Sequence, residues 1–187
     1  PTVLKFDGLA AGKGVAVCFD ASDAEAFLDE VLVQRKFGEG RLLVEEFLDG
    51  PEISIFASVV GEQYQILAPA RDYKRIGDGD EGPNTGGMGA VSSLEMLDDE
   101  LREVIDRTIV RPTVEGLGRD GLPYRGFLYF GIMLTQDGPK ILEYNCRFGD
   151  PEAQAVLPMI GGDFAAYVFE GAKGNLQPEL ISFAEGW

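Results

Sequence analysis

The chain has 187 residues, 45% of them hydrophobic, and its 32 acidic against 16 basic residues give a net charge of −16. That is enough apolar material for a sizeable core, so a disordered chain is excluded, and the acidic balance argues against general nucleic-acid binding, which needs a basic face. With no histidine and only 2 cysteines, zinc sites and Ser-His or Cys-His catalysis are excluded too.

No run of about 18 apolar residues is present, so no membrane span is expected. No basic region precedes an apolar one, so no secretion signal is expected either. Cys18 and Cys146 have no metal-ligand spacing and are expected to be two buried thiols in a reducing cytoplasm. The start, "PTVLKF", lacks Met and drops straight into a strand; a chain cut from a longer protein is expected.

Val3-Leu4 reads as the end of a strand running into Lys5–Gly14, "KFDGLAAGKG". A Walker A loop fails here: Gly8–Gly14 is one residue short, and Gly14 stands where a hydroxyl should bind magnesium. A dinucleotide fingerprint fails at Val17. Small residues still let backbone N–H groups approach an anion, and Lys5 and Lys13 supply charge. Because Val15–Phe19 reads as a strand, the loop is expected to be a flap between two strands; a plain glycine-rich turn is the alternative.

Further along, Ser22–Glu25 has the form of a capping box. Ala24, Phe27, Leu28, Val31 and Leu32 recur at helical spacing, which predicts a helix over about 22–35. "RLLVEEFL" (41–48) reads as a strand and Asp49-Gly50-Pro51 as a turn. In 52–60, Ile53, Ile55, Ala57 and Val59 share one face, and 63–69 pairs back as a hairpin. The glycine-rich stretch 70–90 is expected to hold no regular element and, at that length, to be functional or disordered. A helix kinked by Pro112 is predicted over 97–118. Strands 125–136 and 139–145 flank a turn at Asp137-Gly138. Short helices are predicted over 152–159 and 163–172, and the last dozen residues read as a tail.

Several pieces carry chemistry. Glu143 and Asn145 lie two apart on a strand and so share a face; a carboxylate and an amide carbonyl are hard oxygen ligands suited to magnesium. Arg147 follows on the same side and can fork onto a carboxylate or phosphate. Asp150 and Pro151 would cap and start a helix. Arg71, Lys74 and Arg75 concentrate cations in an acidic chain, beside a second glycine-rich run, "GPNTGGMG" (82–89). Glu45, Phe47 and Leu48 could bond and wall an adenine ring, and Glu52 could accept from ribose hydroxyls. Each also has a plainer reading: a wetted edge strand, a helix cap, a solvated loop, an ordinary strand end.

Together, "KFDGLAAGKGV", "EEFLDGPE", "DYKR", "GPNTGGMG" and "LEYNCRFGDPEAQ" resemble the phosphoribosylamine–glycine ligase family of the ATP-grasp superfamily. The "RFGDPEAQ" block is its signature, and the likeness runs from about residue 3 to about 160. The resemblance implies an α+β fold in which two small α/β lobes clamp ATP between antiparallel sheets. Residues 1–68 would form the smaller lobe, with the flap and adenine strand, and 69–187 the larger, with metal and substrate residues; the family's flanking N- and C-terminal domains would be absent.

The resemblance also implies ATP and Mg2+ (or Mn2+) as cofactors, and glycine and 5-phosphoribosylamine as substrates. Neither nucleic acid nor membrane would be a partner. In the implied reaction ATP phosphorylates glycine, and the amine attacks the resulting acyl phosphate. Such a reaction needs no Ser, Cys or His nucleophile. Lys5, Gly8, Gly12, Lys13 and Gly14 would hold the phosphates, Glu45, Phe47 and Leu48 the adenine, and Glu52 the ribose. Glu143 and Asn145 would be metal ligands. Asp72, Lys74, Arg75 and Arg147 would be catalytic; Asn84, Thr85, Gly86, Gly87, Met88, Gly89 and Asp150 would bind substrate. Three positions depart from the pattern: Gly131 stands where many ATP-grasp enzymes carry a third acidic ligand, Tyr73 replaces a histidine, and Phe6 is bulkier than the expected alanine. A different ATP-grasp carboxylate–amine ligase, or a non-catalytic ATP-binding module, are the rival readings.

The acid excess fits a high-salt cytoplasm, in which self-repulsion is screened. The melting temperature is therefore expected to rise from dilute buffer to molar KCl, as read by differential scanning calorimetry.

Overall fold

A computed structural model describes residues 1–10, 13–79, 81–85 and 87–184. The chain divides into two compact units, Pro1–Leu48 and Asp49–Trp187.

In the first unit, β1 (Thr2–Asp7) lies between β2 (Val15–Cys18) and β3 (Arg41–Glu46), both antiparallel to it. Helix α1 (Ala21–Leu28) continues into a π-helical turn, Asp29–Val33. Alternation along β1 sends Leu4 and Phe6 into a core with Cys18 and with Phe27 and Val31 of the helical segment. The cap sits two residues before the expected one: Asp20 accepts from the Asp23 N–H at 3.0 Å, and Asp23 accepts from the Phe19 N–H at 3.0 Å. Short carboxylates serve the orphan donors of a first turn as well as Ser does, so Asp20 pre-empts Ser22.

The second unit is built on a six-stranded sheet. Its strands are β4 (Glu52–Val60), β5 (Gln63–Ile66), β6 (Ala70–Asp72), β9 (Ala90–Ser92), β10 (Arg125–Thr135) and β11 (Gly138–Asn145), in the order β11-β10-β4-β6-β9 with β5 also on β4. Between β6 and β9, β7 (Arg75–Gly77) and β8 (Glu81–Asn84) form a small separate hairpin. The stretch 70–90 thus holds four short strands where none was expected. Their pairing is long-range: β6 is held by Ala70 opposite Ser54 and Ser92, contacts that no local periodicity reveals.

One face of the sheet is apolar throughout. Ile53, Ile55, Ala57 and Val59 of β4 join Leu128, Phe130 and Ile132 of β10 against Ile105, Ile109, Val110 and Val114. The last four come from helix α2 (Asp99–Ile105), a π-helical turn (Asp106–Val110) and α3 (Arg111–Arg119). Helical backbone runs unbroken over 99–119, and the wider π-helical turn sits directly before Pro112, where the regular ladder meets a residue with no N–H to donate. The other face carries a second core of Phe56, Ala70, Tyr129, Val156, Met159 and Tyr167. This core draws on α4 (Glu152–Val156) and α5 (Phe164–Lys173), which are joined by β12 (Ile160–Gly162).

Three expectations change. The expected lobe boundary at 68/69 gives way to a division at 48/49, because β4 pairs with β10 along its whole length, Glu52 opposite Met133 to Val60 opposite Arg125. The last dozen residues are not merely a tail, since β13 (Ile181–Phe183) pairs with β12. Of the two thiols, Cys18 is buried but Cys146 is exposed.

Ile55 is fully buried at the centre of the sheet. Ile55→Ala is expected to cost about 2–5 kcal/mol of unfolding free energy, measured as a lower urea midpoint.

Candidate functional site

In the first unit the β1–β2 connection is built around Phe6. Its N–H donates to Gly14 O at 2.7 Å, and its carbonyl accepts from Gly8 N at 3.0 Å. A Cβ at Gly8 would lie 2.5 Å from Phe6 Cε1, and one at Gly14 2.7 Å from Ala10 Cβ. Gly40 is equally confined, at 2.4 Å from Phe6 Cε2. The glycines of this loop are therefore packing partners of the unexpectedly bulky Phe6. Lys13 N donates to Ala10 O at 2.9 Å, and Gly12 lies outside the described residues.

The sheet face opposite the helix carries Val3, Val15, Val17 and Leu43, with Lys5 in register with Val15 and Leu43. Val15, Val17 and Leu43 are about half exposed. On the same face Lys5 pairs with Glu45 at 2.6 Å. Apolar surface with one cation beside it is what a flat heterocycle with an anionic tail requires. Phe47 packs its ring on Phe19 at 5.8 Å, and Leu48 is half-buried. The valines and Leu43 escaped the sequence reading because alternation shows which residues share a face, not which face stays open.

In the second unit, the face away from α2 and α3 gathers the polar residues. Glu143 lies opposite Gly131, Gly131 opposite Ser54, and Ser54 opposite Ala70, one row across the sheet. Period-two alternation puts Glu52, Asn145 and Asp72 on this same side. Asn145 Nδ2 lies 3.4 Å from Glu143 Oε1, so the two heads are adjacent. A Cβ on Gly131 would come within 3.0 Å of Glu143 Cγ, so the glycine leaves Glu143 its room. Among the described residues no group of three or more His, Cys, Asp or Glu is arranged to hold a metal. Glu143 and Asn145 offer two hard oxygens, a donor set of the kind magnesium takes along with phosphates and water.

Lys74 donates to Glu52 at 2.7 Å. Burial works to lower the Lys74 pKa, but Glu52 and, further off, Glu143 and Asp72 outweigh it and hold the ammonium above its ordinary value. The second glycine run is bonded to this segment. Thr85 N and Oγ1 both donate to Lys74 O, Met88 N to Tyr73 O, and Tyr73 N to Gly89 O, all within 3.0 Å. Gly87 N donates to Thr85 Oγ1 at 3.1 Å. The structure thereby brings Asp72, Lys74, Thr85, Gly87, Met88 and Gly89 together. Arg75 pairs through its backbone with Asn84, and Gly86 lies outside the described residues. The ring of Tyr73, which stands in place of histidine, lies under the Arg71 guanidinium at 5.2 Å.

The turn after β11 differs from expectation. Asp150 does not cap α4: Pro151 occupies the cap position with no side-chain bond, and Asp150 Oδ1 accepts from Gln154 Nε2 at 2.9 Å. Arg147 is exposed and donates to Phe148 O at 2.7 Å. Beneath this turn lies a group the sequence reading missed. Glu152, 3% exposed, accepts from Ser54 Oγ at 3.0 Å, and Tyr129 Oη lies 3.1 Å from the same Ser54 oxygen. Ser54 has one proton and gives it to Glu152, so Tyr129 donates to Ser54. The alternation of "EISIF" did place Ser54 on the Glu52 side; nothing local marked Glu152 as its partner.

Asp72 Oδ1 is buried without a hydrogen-bond partner. Burial first, and then the charge of Glu152, push the Asp72 carboxyl up from 3.8 to about 6, with Lys74 opposing and Glu52 reinforcing. Between about pH 4 and about pH 6 the folded chain thus keeps a proton that the unfolded chain has released, and Asp72 lowers stability as pH rises through that window. Asp72→Asn is expected to show a smaller loss of urea midpoint between about pH 4 and about pH 7 than the unaltered chain.

Residues 1–153 match the family model described as phosphoribosylglycinamide synthetase, ATP-grasp (A) domain. A curated phosphoribosylamine–glycine ligase of Streptococcus pyogenes serotype M6 is 50% identical over 167 residues, 88% of this chain and 40% of the relative. That of Yersinia pestis is 43% identical over 188 residues, 99% of this chain and 44% of the relative. The chain therefore spans less than half the length of these relatives. The crystal structure of the Thermotoga maritima phosphoribosylamine–glycine ligase superposes with a TM-score of 0.81 at 39% identity, covering 94% of this chain and 45% of that one. A Campylobacter jejuni biotin carboxylase, at 18% identity and a TM-score of 0.71, shares the fold alone, covering 98% of this chain and 40% of its own. With the α+β sheets described above, these matches show that the chain belongs to the phosphoribosylglycinamide synthetase ATP-grasp (A) domain family.

Proposed function

We propose that the chain is the nucleotide-binding core of a cytoplasmic ligase that joins 5-phosphoribosylamine to glycine at the expense of ATP. The observation that carries this reading is the single sheet face holding Glu143, Asn145, Asp72 and the Lys74–Glu52 pair, with the Thr85 and Gly89 backbone bonded to the 73–74 segment. Relatives named phosphoribosylamine–glycine ligase support it.

In the proposed chemistry a glycine carboxylate oxygen attacks the γ-phosphorus of ATP and ADP leaves. The amine nitrogen of phosphoribosylamine then attacks the carbonyl carbon of glycyl phosphate. Phosphate departs, the nitrogen loses a proton, and glycinamide ribonucleotide remains. Both nucleophiles come from substrates, so the protein's task is to orient them, exclude water and offset phosphate charge.

Lys5 and the backbone N–H groups of Gly8, Gly12, Lys13 and Gly14 are assigned to the phosphates. Glu45, Phe47 and Leu48, with the exposed valine face of the first unit, are assigned to the adenine. Glu52 keeps one oxygen on Lys74 and is assigned the ribose hydroxyls through the other. Glu143 and Asn145 would hold magnesium or manganese, which when bound offsets the charge of the transferring phosphoryl group. Lys74, Arg75 and Arg147 are assigned to anionic oxygens of glycine and the phosphoribosyl group. Asp72 and Asp150 are assigned to orientation of the amine, and the Asn84–Gly89 loop to backbone contacts. The remaining length of the full ligase would complete the substrate cleft.

Glu143→Gln in the full-length ligase is expected to lower metal-dependent kcat/KM on the order of a hundredfold or more, read as phosphate release with glycine and phosphoribosylamine. Unchanged turnover, or equal turnover with an unrelated carboxylate and amine, would sink the assignment.

A further inference from the structure

A glutamate that is 3% exposed beneath a surface turn needs a physical reason, because a buried carboxylate costs several kcal/mol unless it is bonded. Glu152 is the first residue of α4, and its carboxylate turns back under the turn that precedes the helix. A Cβ at Gly149 would lie 2.2 Å from Glu152 Oε2 and 2.5 Å from its Cδ, so the carboxylate rests directly on the Gly149 backbone. Ala153 N donates to Gly149 O at 3.0 Å and closes the turn over it. From below, Ser54 of the central strand donates to Oε1.

The next contact runs sideways. A Cβ at Gly87 would sit 2.8 Å from Pro151 Cδ and 3.2 Å from Asp72 Oδ1. The 85–89 loop therefore leans on the residue before Glu152 and on the carboxyl whose charge Glu152 opposes. Neither glycine has space for a side chain.

We propose that Glu152 is a positioning residue: its buried carboxylate, anchored by Ser54, pins the Arg147–Asp150 turn to the central strand and, through Pro151, seats the Gly87–Gly89 stretch beside Asp72. Its bearing on glycine and phosphoribosylamine rests on the proposed function; the pinning itself does not. The groups facing Asp72 are Glu152 from α4, Glu52 from β4, and Lys74 and the Tyr73 N–H from its own segment. Removing the Glu152 carboxylate takes away the acceptor that holds the turn and also relieves Asp72 of an unfavourable neighbour.

The test has two parts. In the 187-residue chain, amide hydrogen exchange is measured on the unaltered protein and on Glu152→Ala, which removes the acceptor. Amides of 147–149 and 87–89 are expected to exchange about tenfold or more faster in the variant, while β4 and β10 amides keep their rates. Should Glu152→Ala not fold, Ser54→Ala removes the anchoring donor and is read in the same way; Ser54→Thr, which keeps a hydroxyl, restores slow exchange. Unchanged exchange in both stretches, or an equal rise in β4 and β10, overturns the inference. In the full-length ligase, Ser54→Ala and Glu152→Ala are expected to raise the KM for glycine or phosphoribosylamine about tenfold and to leave that for ATP within about twofold. Loosened loops with every KM unchanged would uphold the pinning and overturn the assignment of these loops to the two substrates.

Discussion

Successive residues of β4 and β10 face opposite environments, and the second unit depends on that alternation. Ile53, Ile55, Ala57 and Val59 meet the helices, while Glu52 and Ser54, one position out of step, meet the polar residues of the other face and Phe56 meets the second core there. A single sheet thus walls an apolar core on each side and, on one of them, also floors a polar row. A slip of one residue between β4 and β10 would exchange the two sets. The apolar side opposes such a slip: burial of seven strand residues against α2 and α3 makes any other register costly. Glu143 and Asn145 inherit their position from this pairing, because β11 is registered on β10.

Much of this was legible in the residues. The alternation in "EISIFASVV" and the Asp137-Gly138 turn identified the central hairpin and strand, since both signals are local. The adjacency of Glu143 and Asn145 followed from strand geometry alone. What escaped were features decided by distant partners. β6 and β9 are three residues each; β6 adds to the edge of β4, and β9 in turn to the edge of β6. The division at 48/49 reflects whom β4 pairs with, a partner more than sixty residues further along the chain. Glu152 read as part of a helix start, and its burial depends on Ser54, 98 residues away.

Glycines in this chain let backbone amides approach an anion. Their contacts add a second role. Gly8, Gly14 and Gly40 fit around Phe6 and its neighbours, Gly131 makes room for Glu143, and Gly149 accommodates Glu152. Apart from Gly14, which meets the Ala10 methyl, a large or charged side chain occupies the space that a Cβ would need. The bulk of Phe6, which departs from the family pattern, is absorbed by neighbours that have no side chain of their own.

The Lys74–Glu52 pair bears on which anions the site admits. Both members are about one-third exposed or less, at 33% and 28%, and they lie 2.7 Å apart. A newcomer must therefore match what a fixed carboxylate already provides. Chloride or a lone sulfate brings a single contact and gains little by displacing it. A ligand that reaches Lys74 while also binding elsewhere on the face can share the ammonium without having to evict Glu52. In the proposed site, a ligand with a second point of attachment on the same face would compete with Glu52 for the ammonium better than a lone anion would.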